Sequence, residues 1–313
     1  MVNKKQVVQS GVWQILNAAV KTLSQFAYYA VMARILPNAK VQLGIFAILN
    51  SFMNIGNILG DGGMGDALLQ KREHDKQHVN AAFYSGLLIS AILYVLLFIA
   101  SPYIAVLYDE PGLNSSLRIF ATVFIFGAMS SASLNLLQKN FKFKKIFLGD
   151  GIFLLLSNIL GVVLALTGMN YMSLVYSQIF YFSAKFLLFV YYEPVPLKAG
   201  FTKKHWKEMV GYGSGLTLIR VNNYIANFGI VLEVGKLVSR ALLGIFDRTY
   251  RIMNIPQRFL YDTVQRVMMP AMVKKMGGNK GVYNVFERTL SVMNTIIVPL
   301  TLFLILFSKP IVL

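Results

Sequence analysis

Residues 80–108 read NAAFYSGLLISAILYVLLFIASPYIAVLY and contain no charged side chain. A helix needs about 20 predominantly apolar residues to cross the hydrocarbon core of a bilayer, and this stretch is longer than that. Comparable runs recur about every 30 to 35 residues along the 313-residue chain, leaving no room for a soluble domain between them. Composition agrees: 56% of residues are hydrophobic, 14% are charged and the mean hydropathy is +0.58. A water-exposed domain carries roughly a quarter charged residues, so the solvent this sequence is built for is lipid.

Hydropathy and helix breakers predict about nine transmembrane helices, at Gly11–Arg34, Leu43–Gln70, Asn80–Tyr108, Leu113–Leu137, Phe147–Thr167, Tyr171–Tyr192, Val210–Val234, Leu237–Met272 and Tyr283–Leu306. The first is not a cleaved signal peptide, because it is too long, carries Lys21 at its centre and lacks a small-residue cleavage site. Cysteine is absent, which excludes disulfides and thiolate metal sites. The fold class is therefore all-α and polytopic.

The segments between spans sort by charge. One alternating set holds 16 basic residues, among them Lys4, Lys5, Lys144, Lys145, Lys203 and Lys204, and the other holds six. By the positive-inside rule the N-terminus is cytoplasmic, in the inner membrane. The net charge of +17 then reflects topology and attraction to anionic lipids, not nucleic acid. Lys198–Met209, with Phe201, Trp206 and four lysines, reads as an amphipathic interfacial connector.

An internal repeat appears at an offset of 200 residues: Leu43-Gly44-Ile45-Phe46 recurs as Leu243-Gly244-Ile245-Phe246, and Met53-Asn54-Ile55 as Met253-Asn254-Ile255. Six spans per repeat make the halves parallel. The expected domains are a first six-helix lobe over residues 1–197, the connector 198–209, and the first three helices of a second lobe over 210–313, which is expected to be incomplete.

Charges within spans mark function, since an ionised group at a helix centre costs about 2.5–3.5 kcal/mol on insertion scales. Span eight places Asp247, Arg248, Arg251, Arg258, Asp262 and Arg266 within an arc of roughly 100°. Span one aligns Gln14, Asn17, Lys21, Ser24, Gln25 and Tyr28, and span seven aligns Gly213, Arg220, Asn223, Tyr224 and Asn227. The deep anions read from the sequence are Asp247 and Asp262, too few for these cations, so a cationic substrate cavity is expected. Its candidate residues are Lys21, Gln25, Arg220, Asn223, Asn227, Arg248, Arg251, Arg258 and Asp262. Candidates for gating or coupling are Asp61, Lys185, Asp247 and Pro256, the last as a helix kink. His74, His78 and His205 are expected in loops without clustered carboxylates, which argues against a catalytic or metal centre and implies no cofactor.

The stretches Leu59-Gly60-Asp61-Gly62-Gly63-Met64-Gly65-Asp66-Ala67-Leu68-Leu69-Gln70 and Leu243-Gly244-Ile245-Phe246-Asp247-Arg248-Thr249-Tyr250-Arg251-Ile252-Met253-Asn254-Ile255-Pro256 resemble the polysaccharide exporters related to the colanic acid exporter. These belong to the multidrug/oligosaccharidyl-lipid/polysaccharide superfamily. The resemblance implies two six-helix lobes around a central cavity lined by spans one, two, seven and eight. It also implies flipping of an undecaprenyl-pyrophosphate-linked oligosaccharide from the cytoplasmic to the outer leaflet of a bacterial inner membrane. The implied partners are that lipid-linked oligosaccharide, anionic lipids and the polymerase and export machinery. Family members usually have 12 to 14 spans, more than this chain contains. Two other readings are a drug/cation antiporter of the same superfamily, which would show an acidic cation site, and a membrane enzyme acting on lipid phosphates, which would need convergent acids, bases or metal ligands.

Overall fold

The computed structural model describes residues 4–60, 62–70, 75–195, 200, 202–263, 287, 291, 294–295, 297–299 and 301–307. These residues are helical apart from short turns, and no strand occurs among them. The helices are α1 (Lys4–Ile35), α2 (Ala39–Gly60), α3 (Met64–Gln70), α4 (Lys76–Leu107), α5 (Gly112–Phe120), α6 (Thr122–Lys139), α7 (Phe143–Phe147), α8 (Phe153–Leu166), α9 (Met172–Tyr192), α10 (Lys203–Leu237) and α11 (Arg240–Thr263). A π-helical turn, Leu148–Ile152, fuses α7 to α8. Five rods are long and apolar enough to cross a bilayer: Ala39–Gly60, Lys76–Leu107, Gly112–Lys139, Phe143–Leu166 and Met172–Tyr192. The α1 and α10 helices, 32 and 35 residues long, have the length but carry polar faces.

The chain divides into two compact units, Met1–Gly244 and Ile245–Leu313. In the first, α6 packs on α4 and α9, α8 on α9 and α1, and α10 on α2, α3 and α4. In the second, α11 stacks Phe246 on Tyr250 with centroids 6.0 Å apart, and a shorter apolar helix covers Ile297–Leu306.

The α4 helix shows the inversion that lipid imposes. Leu88, Ile92, Val95, Leu96, Ile99 and Val106 are exposed, whereas Ser85, Ser90 and Ser101 are buried. Ser90 donates to the Gly60 carbonyl at 2.9 Å and Ser101 to Asn114 at 2.8 Å. Its start is fixed by Asp75, whose side chain accepts from the His78 backbone N–H at 2.9 Å. That bond, with the His78 and His205 rings nearby, lowers the Asp75 carboxyl to about 2.

The predicted second span, Leu43–Gln70, is broken into α2 and α3. Gly62 and Gly63 take φ values of +56° and +71°, which cost L-residues with a Cβ dearly. The segment read as a connector joins α10 at Lys203, and α10 then runs unbroken to Leu237.

The two repeated blocks meet. A Cβ at Gly44 would lie 2.0 Å from the Arg240 carbonyl oxygen, and one at Gly244 would lie 2.1 Å from the Lys40 carbonyl oxygen. Lys40 and Arg240 are themselves offset by 200, so the contact is reciprocal, as a two-fold relation between repeats requires. In lipid, where apolar burial gives no preference for helix over lipid tail, such close backbone approach is a main source of helix association. Gly44→Ala should therefore lower the thermal stability of the detergent-solubilised protein by about 1–3 kcal/mol through overpacking. Gly215→Ala, where a Cβ meets nothing within 4 Å, should not. Equal stability of the two variants, by thermal unfolding, would refute the contact.

Candidate functional site

The polar face of α1 turns toward α8 and α9. Tyr28 and Ser177 hydroxyls lie 3.1 Å apart, and Asn158 donates to the Ser24 carbonyl at 3.4 Å. Between them lies a group that sequence reasoning passed over. Asp150 occupies the π-helical turn between Gly149 and Gly151 and is buried. Its Oδ2 accepts from Lys21 at 2.5 Å and Asn17 at 3.4 Å, and its Oδ1 from Tyr181 and Lys185, each at 2.9 Å. A carboxylate offers about four lone-pair positions, and protein donors fill all four.

Three elements thus converge on one anion, Lys21 from α1 and Tyr181 and Lys185 from α9 closing on the turn before α8. The Lys185 ammonium also lies 5.5 Å from the Phe189 ring centroid and 5.6 Å from that of Tyr181, within cation–π range. Two lysines against one carboxylate leave one net positive charge. The count of deep anions made from sequence omitted Asp150, although the predicted span Phe147–Thr167 contains it. An isolated acid within a predicted span was the signal that could have found it.

Of the other candidates, Gln25, Arg220 and Asn223 are exposed on α1 and α10, and Asp247 and Arg248 are partly buried in the second unit. Arg251, Pro256, Arg258 and Asp262 belong to α11 and Asn227 to α10, but their side chains lie outside the described residues, as does Asp61 altogether.

The expectation for the histidines is corrected. His78 and His205 lie in the first turns of α4 and α10, not in carboxylate-free loops, with ring centroids 4.4 Å apart. Asp75 and Glu208 join them, with His78 Nε2 3.3 Å from Glu208 and His205 Nε2 3.4 Å from Asp75. Residues 127–130 positions apart in sequence are brought together by the packing of α10 on α4, which no local pattern reveals.

Neutralising Asp150 should be costly. Asp150→Asn leaves two low-dielectric cations uncompensated and should lower stability by about 3–5 kcal/mol. Adding Lys185→Met should recover part of it. Thermal unfolding of the solubilised variants measures both, and unchanged stability of Asp150→Asn would overturn the arrangement.

Residues 31–313 match the family described as polysaccharide biosynthesis protein. Among curated relatives, the teichuronic acid biosynthesis protein TuaB of Bacillus subtilis (strain 168) is 23% identical over 97% of this chain and 63% of its own length. The lipopolysaccharide biosynthesis protein WzxC of Escherichia coli (strain K12) is 20% identical over 98% of this chain and 62% of its own. The chain thus spans about 62–63% of the length of these relatives. Among solved structures, an inward-facing multidrug resistance MATE family transporter of the MOP superfamily superposes with a TM-score of 0.65, at 16% identity, over 93% of this chain and 71% of that one. An outward-facing structure of a MATE family transporter gives 0.61 at 14% identity, over 98% and 73%. The helical fold is that of these membrane proteins, and the chain belongs to the polysaccharide biosynthesis protein family.

Proposed function

We propose that this protein is a membrane transporter that moves a lipid-linked oligosaccharide, of the undecaprenyl-pyrophosphate type, from the cytoplasmic to the outer leaflet through a cationic cavity. The observation that carries the reading is that a chain of a polysaccharide biosynthesis family takes the fold of MATE transporters. The basic polar faces supply the chemistry: Lys21 on α1, Arg220 on α10, and Arg248, Arg251 and Arg258 along α11. Guanidinium groups grip pyrophosphate through paired N–H donors, while the polyprenyl tail stays in lipid. Asp247, Asp262, Asn223, Asn227 and Gln25 offer hydrogen bonds to sugar hydroxyls. Asp61 and Pro256 belong to segments suited to gating. Bacterial polysaccharide polymerase and export machinery would receive the product.

A drug/cation antiporter is less well supported. Such a protein needs an acid open to its cation, and the acceptor positions of Asp150 are already taken by Lys21, Asn17, Tyr181 and Lys185.

Arg220→Ala, Arg251→Ala and Arg258→Ala should each reduce translocation of lipid-linked oligosaccharide into vesicles at least tenfold at normal abundance. The Arg→Lys variants should retain an intermediate rate if charge suffices. Normal rates for all three alanine variants would remove the cationic cavity. We further propose a cytoplasmic N-terminus. Cysteines at Lys145 and Lys204 should then react only from the cytoplasm and one at Asn170, in the turn between α8 and α9, only from outside; labelling of Lys145 from outside would reverse the orientation.

A further inference from the structure

We propose that Asp75, His78 and His205, with Glu208 beside His78, form a divalent transition-metal site, suited to Zn2+, that clamps the first turn of α10 to the first turn of α4. The inference does not depend on the transport reading. Each helix contributes an acid and a histidine three residues apart, Asp75 with His78 and His205 with Glu208, so each pair lies on one helical face. The α4–α10 packing turns the two pairs toward each other. One ligand atom from each of Asp75, His78 and His205 lies within 4.8 Å of the others.

The spacings fit a metal better than they fit hydrogen bonds. Around a tetrahedral zinc with bonds of about 2.0–2.1 Å, neighbouring ligand atoms are about 3.3–3.4 Å apart. His78 Nε2 lies 3.3 Å from Glu208 Oε2, and His205 Nε2 lies 3.4 Å from Asp75 Oδ2. A charge-assisted N–H···O bond would close to about 2.7–2.9 Å.

The rings are oriented as metal ligands require. His78 Nδ1 lies 2.7 Å from Asp75 Oδ1, and His205 Nδ1 lies 2.7 Å from Thr202 Oγ1. In the tautomer whose Nδ1–H donates to that oxygen, the Nε2 lone pair is available to a metal, the usual outer-shell arrangement of a metal-bound histidine. The Asp75 backbone N–H also approaches His78 Nδ1, but at 3.4 Å, and the shorter carboxylate contact governs the tautomer. With Nδ1 protonated, both Nε2 lone pairs face carboxylate oxygens. That juxtaposition is relieved by a cation between them, either a metal ion or a second proton on each ring. Two imidazoles and two carboxylates suit zinc over magnesium or calcium, which prefer all-oxygen sites. The chain has no cysteine to compete. Lys76, Lys203, Lys204 and Lys207, on the same turns, are exposed to water, where their repulsion of the metal is screened.

The test uses the untagged, chelator-stripped chain in detergent at neutral pH, titrated with Zn2+ by calorimetry. One Zn2+ per chain is expected, with affinity falling at least tenfold in Asp75→Asn and in His205→Ala. Asp75→Asn keeps a side-chain oxygen for the helix cap, so its loss of affinity does not reflect a lost fold. Co2+ in place of Zn2+ should give the intense visible bands of tetrahedral coordination, and metal should slow amide exchange in the first turn of α10. Absence of saturable binding, or equal affinity in the wild type and both variants, would overturn the site. So would an α10 turn whose exchange follows pH but not metal, since protons alone would then hold the latch.

Discussion

Asp150 is an anion in a setting where an isolated charge costs several kcal/mol, and the arrangement of α1, α8 and α9 is what makes it tolerable. Lys21 and Lys185 come to it from two different helices, Tyr181 and Asn17 complete its acceptor positions, and the π-helical turn presents it between two glycines. A π-turn widens the helix by one residue and aims a side chain that a regular helix would point elsewhere. The cluster fixes the rotation of α1 about its own axis, because a turn of α1 by one residue would withdraw Lys21 and leave the carboxylate short of a donor. That rotation decides which part of the polar face of α1 is spent inside the bundle and which part, Gln25 included, is exposed.

Contacts in the rest of the first unit are of a different kind. Where α2 meets the start of α11, and where the Gly62–Gly63 turn meets Gly213 of α10, backbone approaches backbone with no side chain between. Ion pairs specify direction and tolerate small displacements, whereas glycine contacts specify distance and tolerate none. Close backbone approach therefore fixes the spacing at both points.

Much of this was legible in the sequence. Apolar runs located α4, α9 and the rods Gly112–Lys139 and Phe143–Leu166 to within a few residues, because lipid demands a minimum length and punishes interruption, but gave no sign that the first of these rods divides into α5 and α6 at Ala121. Gly44 and Gly244, which occupy matching places in the two similar sequence blocks, prove to approach closely. Two further features were not legible. The break at Gly62–Gly63 lies in a stretch, Gly60-Asp61-Gly62-Gly63-Met64-Gly65-Asp66, whose glycines and acids permit a turn without requiring one, since φ sign is a backbone property that composition only permits. The long-range partners of Lys21, Lys185, His78 and His205 were invisible because each lies on another element, 129 residues away for Lys21 and Asp150 and 130 for His78 and Glu208. Helical periodicity predicts which face is polar and says nothing about what that face meets.

The length of α10 connects these observations to the arginines. At about 1.5 Å per residue, its 35 residues extend about 52 Å, well beyond the roughly 30 Å of a hydrocarbon core. The excess must project, and its first turn is the part that can: Lys203, Lys204 and Lys207 are charged, and Trp206 is a natural interfacial anchor. The histidine and carboxylate cluster then sits in the aqueous or headgroup zone, within reach of dissolved ions. Arg220, 17 residues further on, falls about 26 Å along the same axis, within the hydrocarbon depth. Its side chain is exposed on the helix surface, and facing lipid at that depth would cost about 2.5–3.5 kcal/mol. A polar surround at that depth would remove that cost, which is what the cationic cavity proposed above requires.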